Sequence, residues 1–214
     1  MSTQAIARLQ KELKDLSKNP VEGFKVEIPD DTNLFKWVVY IQGPSGSLYE
    51  NGIFKAEMNF PEDYPNAPPS MKFISEFWHP NIYPDGRVCI SILHTPDPMN
   101  TDERPEETWR PILTVESILV SVCSMFSDPN FSSPANIDAS VEMRNTPEIF
   151  KKRAKACVER SLNNLPPGFE MPKPKKPVVQ EVMDFDPFDQ DDDDFGQDDD
   201  DDIEDDEEEP EEDE

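Results

Sequence analysis

The C-terminal end of the chain is too acidic and too poor in apolar side chains to join a folded core. Residues 184–214 hold 22 of the 47 acidic residues and none of the 20 Lys and Arg residues. Burying their few apolar side chains cannot offset the loss of chain entropy, and their like charges repel one another. We therefore predict a disordered acidic tail over 184–214. The fold belongs to the residues before it, which suffice for one compact domain.

Charge and cysteine content exclude several classes of protein. The net charge of −27 would repel nucleic acid and an anionic membrane surface, so we expect neither as a partner. No apolar run approaches the roughly 20 residues that span a bilayer, and the first residues lack the hydrophobic middle of a signal peptide. Cys89, Cys123 and Cys157 are odd in number and far apart, unlike a disulfide framework. We expect an intracellular protein with reduced thiols.

The first half of the chain changes from a helical pattern to strand-like patterns. Apolar residues recur at helical spacing from Ile6 to Leu16, and Asn19-Pro20 ends that pattern. Four β-type runs follow, at 24–28, 37–41, 54–60 and 71–74. Because short turns join these runs, we predict a four-stranded antiparallel meander and not βαβ units.

The second half of the chain is predicted to be helical. One amphipathic helix follows a capping Thr114, with an apolar face of Val115, Ile118, Leu119, Val122 and Phe126. Another has a face of Ile149, Phe150, Arg153, Ala154, Cys157 and Val158. We predict an α+β fold: an N-terminal helix, the meander, then C-terminal helices. Residues 1–165 form the domain, 166–183 a proline-rich linker and 184–214 the tail.

The segment around Cys89 contains the residues that suggest chemistry. His79-Pro80-Asn81 precedes Cys89 by eight residues, which brings a thiol nucleophile near a side-chain amide donor. We expect His79 to fix the loop, since a general base needs hydrogen-bond reach to its proton. A zinc site of His79, Cys89 and His94 is disfavoured because the usual paired ligand spacing is missing. We expect no metal or other cofactor.

Six features of the chain occur together in one known family. They are the amphipathic first helix, Tyr64-Pro65-x-x-Pro68-Pro69, His79-Pro80-Asn81, Gly86-x-x-Cys89, Trp109-x-Pro111 and Asp128-Pro129-Asn130. In this order and spacing, residues 4–162 resemble the ubiquitin-conjugating enzymes. The resemblance implies that family's α+β fold. It also implies that Cys89 accepts ubiquitin from the activating enzyme as a thioester and transfers it to lysine amines with a RING-type ligase. The activating enzyme, not this chain, consumes ATP.

About a dozen extra residues separate Cys89 from Trp109, compared with the shortest members of that family. This acidic insertion contains His94, Asp97, Asp102, Glu103, Glu106 and Glu107. With the acidic tail and the segment 133–140, it resembles the cell-cycle subclass that works with cullin–RING ligases. Because Arg87 is the only basic residue near Cys89 in sequence, we expect the insertion to disfavour the thiolate. Such a thiol suits exchange with a preactivated thioester better than attack on a peptide bond.

The resemblance also suggests roles for the residues around Cys89. Asn81 can donate a hydrogen bond to the oxyanion that forms when lysine attacks the thioester, or it can brace the loop. Many family members carry a carboxylate at the position of Ser133, and serine cannot supply that charge. We expect Asp97, Asp102 or Glu103 to orient the incoming amine instead. The alternatives are a carboxylate of the substrate and a solvated loop without a catalytic role.

Binding surfaces are likewise implied by resemblance. Arg8, Lys11 and Lys14 on the first helix would contact the activating enzyme. A RING ligase would bind the loops that hold Asn66 and Pro111-Ile112, although Asn66 replaces a bulky apolar residue often found there. Phe185, Phe188 and Phe195 would anchor the tail while its charge steers it to a basic groove of the ligase. The alternative is a tail that only solubilises the protein.

A second class of function stays open at this point. A catalytically idle acidic module could bind or chaperone basic proteins such as histones. The intact Cys89 and His79-Pro80-Asn81 argue against it, because an idle relative has no need of the thiol. For the conjugating enzyme we expect a monomer in the cytoplasm and nucleus.

Overall fold

The computed structural model describes residues 3–99 and 103–172, and these lie within one compact unit. The first helix, α1, spans Thr3–Lys18 and ends just before Asn19-Pro20, as predicted. Ala5 and Leu9 are fully buried on its inner face. The tail residues 184–214 and most of the predicted linker lie outside the described residues.

Four strands form one antiparallel sheet and confirm the predicted meander. They are β1 (Phe24–Glu27), β2 (Lys36–Gln42), β3 (Ile53–Asn59) and β4 (Ser70–Phe73), in the order β1-β2-β3-β4. The alternation of β3 places Phe54, Ala56 and Met58 in the core, all fully buried. Its intervening side chains are more exposed. The two faces of the strand therefore differ, and only one of them contributes to the core.

Three further helices follow the sheet, as the α+β prediction requires: α2 (Val115–Ser127), α3 (Ile137–Asn145) and α4 (Pro147–Asn163). The cap of α2 is the predicted Thr114, whose Oγ1 accepts the Ser117 N–H at 3.2 Å. The predicted apolar face of α4 is wrong at Ile149, which is 49% exposed. Phe150 takes the buried place because adjacent residues point about 100° apart around a helix.

An aromatic cluster joins the sheet to α2 and supports the segment before His79. The Phe77 ring centroid lies 4.4 Å from that of Phe54 and 4.8 Å from that of Phe126. Tyr49 adds a ring 4.6 Å from Phe77, and its hydroxyl donates to the Trp78 carbonyl at 2.5 Å. The backbone that leads to His79 is therefore fixed by packing and by a hydrogen bond.

A buried carboxylate joins α1 to the loops around it. Glu12 is 6% exposed. Its Oε1 accepts the Arg8 Nε–H and the Tyr64 hydroxyl, both at 2.6 Å. Its Oε2 accepts the Val115 N–H at 2.6 Å, at the start of α2, where the helix dipole favours a negative charge. The hydrogen bonds thus compensate the burial of this charge.

Residues after α4 return across the sheet. The Phe169 ring centroid lies 4.5 Å from that of Tyr40, with the two ring planes tilted by 47°, and the Lys25 ammonium lies 4.5 Å from the centroid of the Phe169 ring. Within the described residues, no helix is both long and apolar enough to cross a membrane.

Candidate active site

The thiol of Cys89 is presented by a tight loop after β4. Ile82 and Val88 pair across this loop, and Lys72 of β4 pairs with Arg87. Gly86 makes the turn possible: its φ is +92°, and a Cβ would lie 2.2 Å from the Phe73 carbonyl oxygen, so other residues are excluded. The Cys89 N–H then donates to the Asn81 carbonyl at 3.0 Å, which ties the thiol to the His79-Pro80-Asn81 segment.

His79 is hydrogen-bonded within the protein through both ring nitrogens and is not placed for acid–base chemistry. Its ring is fully buried. Its Nδ1 accepts the Asn81 N–H at 3.0 Å, so Nε2 carries the proton and donates to the Met125 carbonyl at 3.0 Å. Burial lowers the pKa of His79 to about 4, which keeps the ring neutral. The Pro80 carbonyl accepts the Asn136 N–H at 2.8 Å, which also holds this segment in place.

Asn81 braces a second loop against the first. Its Nδ2 donates to the Asn130 carbonyl and its Oδ1 accepts the Asn130 N–H, each at 2.8 Å. The bracing role that the sequence suggested is therefore present. Asn81 also lines the same cleft as Cys89, and its carboxamide nitrogen carries a second N–H besides the one that Asn130 accepts.

Cys89, His94 and Glu103 are joined by two successive side-chain contacts. The Cys89 Sγ lies 3.7 Å from His94 Nε2, and His94 Nδ1 lies 2.6 Å from Glu103 Oε1. The short helical turn Ser91–Leu93 brings the imidazole back over the thiol. The His94 carbonyl accepts the Trp109 N–H at 2.9 Å, which holds the start of the acidic insertion on the domain.

The expectation that the insertion disfavours the thiolate is wrong. The pKa of Cys89 is lowered, chiefly by the hydrogen bond from His94 and further by the Tyr83 hydroxyl, against the opposing effect of burial. The pKa of His94 is raised to about 9 by its hydrogen bond to Cys89 and by Glu103. Glu103 raises the pKa of His94 and, by its charge, also raises that of Cys89, but the hydrogen bond from His94 is the larger effect and the pKa of the thiol falls.

The other two cysteines lack such partners. Cys157 is buried, as expected, and Cys123 is partly buried. Burial raises the pKa of Cys123 to about 11 and also raises that of Cys157. All three cysteines are free thiols, so Cys89 is distinguished by its environment.

The predicted amine-orienting carboxylates fall in different places. Glu103 lies beside the cleft, bound to His94. Asp97 is exposed, does not line the cleft, and accepts the Met99 N–H at 2.9 Å. Asp102 lies outside the described residues. Ser133 does line the cleft and is exposed. Glu107 and Asp128 also supply carboxylates there, although neither was predicted from the sequence to orient the amine.

Among the described residues, no metal site is formed around Cys89. Both ring nitrogens of His79 are used within the protein, so it cannot join Cys89 and His94 as a ligand. Across residues 3–99 and 103–172, no group of three or more His, Cys, Asp or Glu side chains is arranged to hold a metal ion.

The three basic residues predicted on α1 are not equivalent. Lys11 and Lys14 are exposed and remain available to a partner. Arg8 is only partly exposed, because its Nε donates to Glu12 and its Nη2 donates to the Leu113 carbonyl at 2.9 Å. Its guanidinium belongs to the buried network of Glu12, and the predicted contact of Arg8 with the activating enzyme stays a prediction.

The two loops of the predicted ligase surface are joined by one hydrogen bond. The Trp109 indole donates to the Pro65 carbonyl at 2.7 Å, next to Asn66. Ile112 is 76% exposed, and Pro111 and Asn66 are exposed as well. Phe185, Phe188 and Phe195, the predicted anchors of the tail, lie outside the described residues.

Known proteins resemble this chain in sequence over most of its length. The family model described as ubiquitin-conjugating enzyme matches residues 8–158. The chain belongs to the ubiquitin-conjugating enzyme family. It is similar to the probable ubiquitin-conjugating enzyme E2 7 of Caenorhabditis elegans, with 54% identity over 159 residues, 74% of this chain and 97% of the relative.

Two other relatives extend the comparison. The ubiquitin-conjugating enzyme E2 13 of Arabidopsis thaliana is 52% identical over 162 residues, 75% of this chain and 98% of the relative. The ubiquitin-conjugating enzyme E2-34 kDa of Saccharomyces cerevisiae is 45% identical over 182 residues, 84% of this chain and 61% of the relative. Membership makes this protein a conjugating enzyme, whose partners are ubiquitin, an activating enzyme and a ligase.

Sequence reasoning missed His94 as the partner of the thiol. It had considered His94 only as a zinc ligand, because the acidic residues dominate the insertion. A usable signal was present: a histidine five residues after the nucleophile, followed by carboxylates, is the order of a nucleophile, its base and the residue that orients the base. Tyr83 gave no comparable signal, because only the loop geometry brings its hydroxyl to Cys89.

Proposed function

We propose that Cys89 accepts ubiquitin from the activating enzyme as a thioester and transfers it to lysine amines. The observation that carries this proposal is the environment of the three cysteines. Cys89 opens onto a cleft and has a lowered pKa, whereas burial raises the pKa of both Cys123 and Cys157. The thiolate is the nucleophilic form, so Cys89 is the thiol suited to thioester exchange.

The cleft around Cys89 has features suited to both steps of this reaction. In loading, the thiolate attacks the activating enzyme's thioester and expels a thiolate of similar basicity. In discharge, a lysine amine attacks the new thioester and negative charge develops on its carbonyl oxygen. Asn81 lines the cleft and can direct its second amide N–H to that oxygen. One such donor stabilises the transition state by about 3–4 kcal/mol.

We further propose that a RING-type ligase binds the surface formed by Asn66, Pro111 and Ile112. Support comes from Ile112, which leaves most of an apolar side chain in solvent, and from the Trp109–Pro65 hydrogen bond that fixes the two loops together. The polar Asn66 donates to Asp63 Oδ1 at 3.0 Å, so the apolar contribution falls mainly on Pro111 and Ile112.

The acidic tail favours a cullin-based ligase as this partner. Residues 184–214 concentrate 22 acidic residues without a basic one, which suits a basic groove and accelerates association through charge steering. We also propose that the enzyme acts as a monomer in the cytoplasm and nucleus. These proposals rest on sequence and family, because the tail lies outside the described residues.

One assay tests thioester formation, and a second tests stimulation of discharge by the ligase. Incubation with activating enzyme, ATP and ubiquitin should give an adduct that dithiothreitol removes. Single-turnover discharge of that adduct to free lysine should accelerate when a cullin–RING ligase is added. Ile112→Ala should lose most of the acceleration while loading stays unchanged, with Ile74→Ala, at 52% exposure, as the matched control. Equal effects of the two variants would rule out the Ile112 surface.

A further inference from the structure

The strongest unexplained feature is the line of Cys89, His94 and Glu103. Glu103 is bound to His94 Nδ1 at 2.6 Å, which directs Nε2 toward the Cys89 Sγ at 3.7 Å. The side chains of His94 and Glu103 are 36% and 20% exposed, so both are partly withdrawn from water. This is the order of nucleophile, base and orienting group that activates nucleophiles in other enzymes.

We propose that His94, oriented by Glu103, carries a proton in both half-reactions of Cys89. Before loading it is an imidazolium that stabilises the thiolate. On the thioester it is a neutral imidazole that accepts a proton from the attacking lysine amine. The proposal rests on the thioester function proposed above and assigns this chain a proton acceptor within its acidic insertion.

The protons balance over one cycle. In loading, the Cys89 sulfur forms a bond to the acyl carbon, the bond from that carbon to the activating enzyme's sulfur breaks, and the departing thiolate takes the proton of His94. In discharge, a neutral lysine amine forms the new bond to the acyl carbon and gives a proton to His94 Nε2. The bond from that carbon to the Cys89 sulfur breaks, and the imidazolium–thiolate pair is restored.

Acylation of Cys89 itself changes the properties of His94. The hydrogen bond to Cys89 is the largest cause that raises the pKa of His94, ahead of Glu103. A thioester sulfur carries no charge, so this contribution disappears on loading and the imidazole loses its proton more readily. Glu103 stays bound to Nδ1 and keeps Nε2 directed at the reacting centre.

Other charges around the imidazole affect its titration. The other titratable or charged side chains that line the two clefts beside Cys89 and His94 are Glu103, Glu107, Asp128, Tyr83 and Arg87. The carboxylates favour the imidazolium, and Arg87 opposes it. Among the described carboxylates, Glu103 is the one hydrogen-bonded to the ring, so its neutralisation should change the proton affinity of His94 more than neutralisation of Glu107.

The first test measures the thiol without ubiquitin. The rate at which iodoacetamide alkylates Cys89 in the full chain, followed by peptide mass spectrometry from pH 5.5 to 9.5, gives the pKa of the thiol. His94→Gln should move that pKa upward toward the free value of about 8.5 and slow alkylation at pH 7 roughly tenfold. Glu103→Gln should shift it less, and Glu106→Gln, an exposed carboxylate of the same insertion, should not shift it.

The second test follows discharge of preloaded ubiquitin thioester to free lysine. Protonation of the lysine amine lowers the rate of every variant as the pH falls, so the rates are compared per neutral amine. On this basis the wild-type rate should fall at low pH as His94 becomes protonated, with a midpoint that Glu103→Gln lowers. His94→Gln should lose this limb and react at least tenfold more slowly at pH 7.5. Thermal unfolding of each variant separates these effects from misfolding.

The outcomes distinguish this proposal from the function on which it rests. Absence of any thioester refutes the proposed function, while the alkylation profile still tests the Cys89–His94 pair. An unchanged alkylation profile in His94→Gln overturns the pairing. A shifted alkylation profile with an unchanged pH dependence of discharge overturns the proton transfer from lysine.

Discussion

Asn81 and Asn130 are joined by a reciprocal pair of hydrogen bonds, side chain to backbone in both directions, each 2.8 Å long. The pair links the loop that leads to Cys89 with the loop that follows α2. It therefore fixes one wall of the cleft and positions the remaining Asn81 amide N–H at the same time. A single residue thus has a structural and a chemical task, and the two can be separated by experiment.

Asn81→Ala should lower discharge to lysine by about 10²–10³-fold, the effect of losing one oxyanion donor. Loading should change by less than about threefold, because exchange between thiolates of similar basicity builds up less charge on the carbonyl oxygen. Single-turnover rates of both steps measure this. Should loading and discharge decline by the same factor, Asn81 would only brace the loop.

Glu107 is the carboxylate that the structure places in the cleft without binding it to His94. We expect Glu107→Gln to raise the KM for free lysine in discharge about threefold or more, since it removes a negative charge that attracts the ammonium form. Asp97→Asn should not, because Asp97 lies outside the cleft lining. A stronger effect at Asp97 than at Glu107 would restore the assignment made from sequence.

Glu12 should be a major contributor to stability. Glu12→Ala leaves Arg8, Tyr64 and the Val115 N–H without their acceptor, and we expect a loss of about 3 kcal/mol in the free energy of unfolding. Thermal unfolding should show a Tm lower by roughly 6–12 °C. Glu22→Ala, at an exposed site, is the control and should stay within about 0.5 kcal/mol of the wild type. Similar losses in both variants would contradict the account.

Truncation after Met183 should weaken ligase-dependent conjugation and flatten its dependence on salt, because the charges that steer association are removed. Replacing Phe185, Phe188 and Phe195 by alanine keeps the charge, so it should reduce ligase affinity while the salt dependence persists. Conjugation rates between 25 and 300 mM salt measure both effects. Unchanged rates for the truncated chain at low salt would show that the tail does not dock.

The fold could be predicted from sequence because its signals are local. The alternation of β3 and the spacing of apolar residues in α2 define buried faces without reference to distant contacts. Thr114 was recognisable as a cap for the same reason. Glu12 was not recognisable as buried, since its partner Val115 lies 103 residues away, and nothing within α1 marks it.

The site was predicted in part. The spacing of Asn81 and Cys89 indicated that the two residues lie together, and they line the same cleft, but the predicted effect of the insertion on the pKa of the thiol was wrong. Charges counted along the sequence do not reveal the hydrogen bond from His94, which lowers the pKa of Cys89 although the charge of Glu103 raises it. The pKa of Cys89 depends on where the backbone of the insertion runs, because that places His94 beside the thiol. The periodicity of apolar residues does not predict this backbone path.

Thioester formation on Cys89 is the central claim, and Cys89→Ser tests it most directly. With activating enzyme, ATP and ubiquitin, the wild type should form an adduct that dithiothreitol removes, and mass spectrometry should place it on Cys89. Cys89→Ser should form only an oxyester that resists dithiothreitol, and Cys123→Ser and Cys157→Ser should load like the wild type. A dithiothreitol-sensitive ubiquitin adduct on Cys89→Ser would contradict the account.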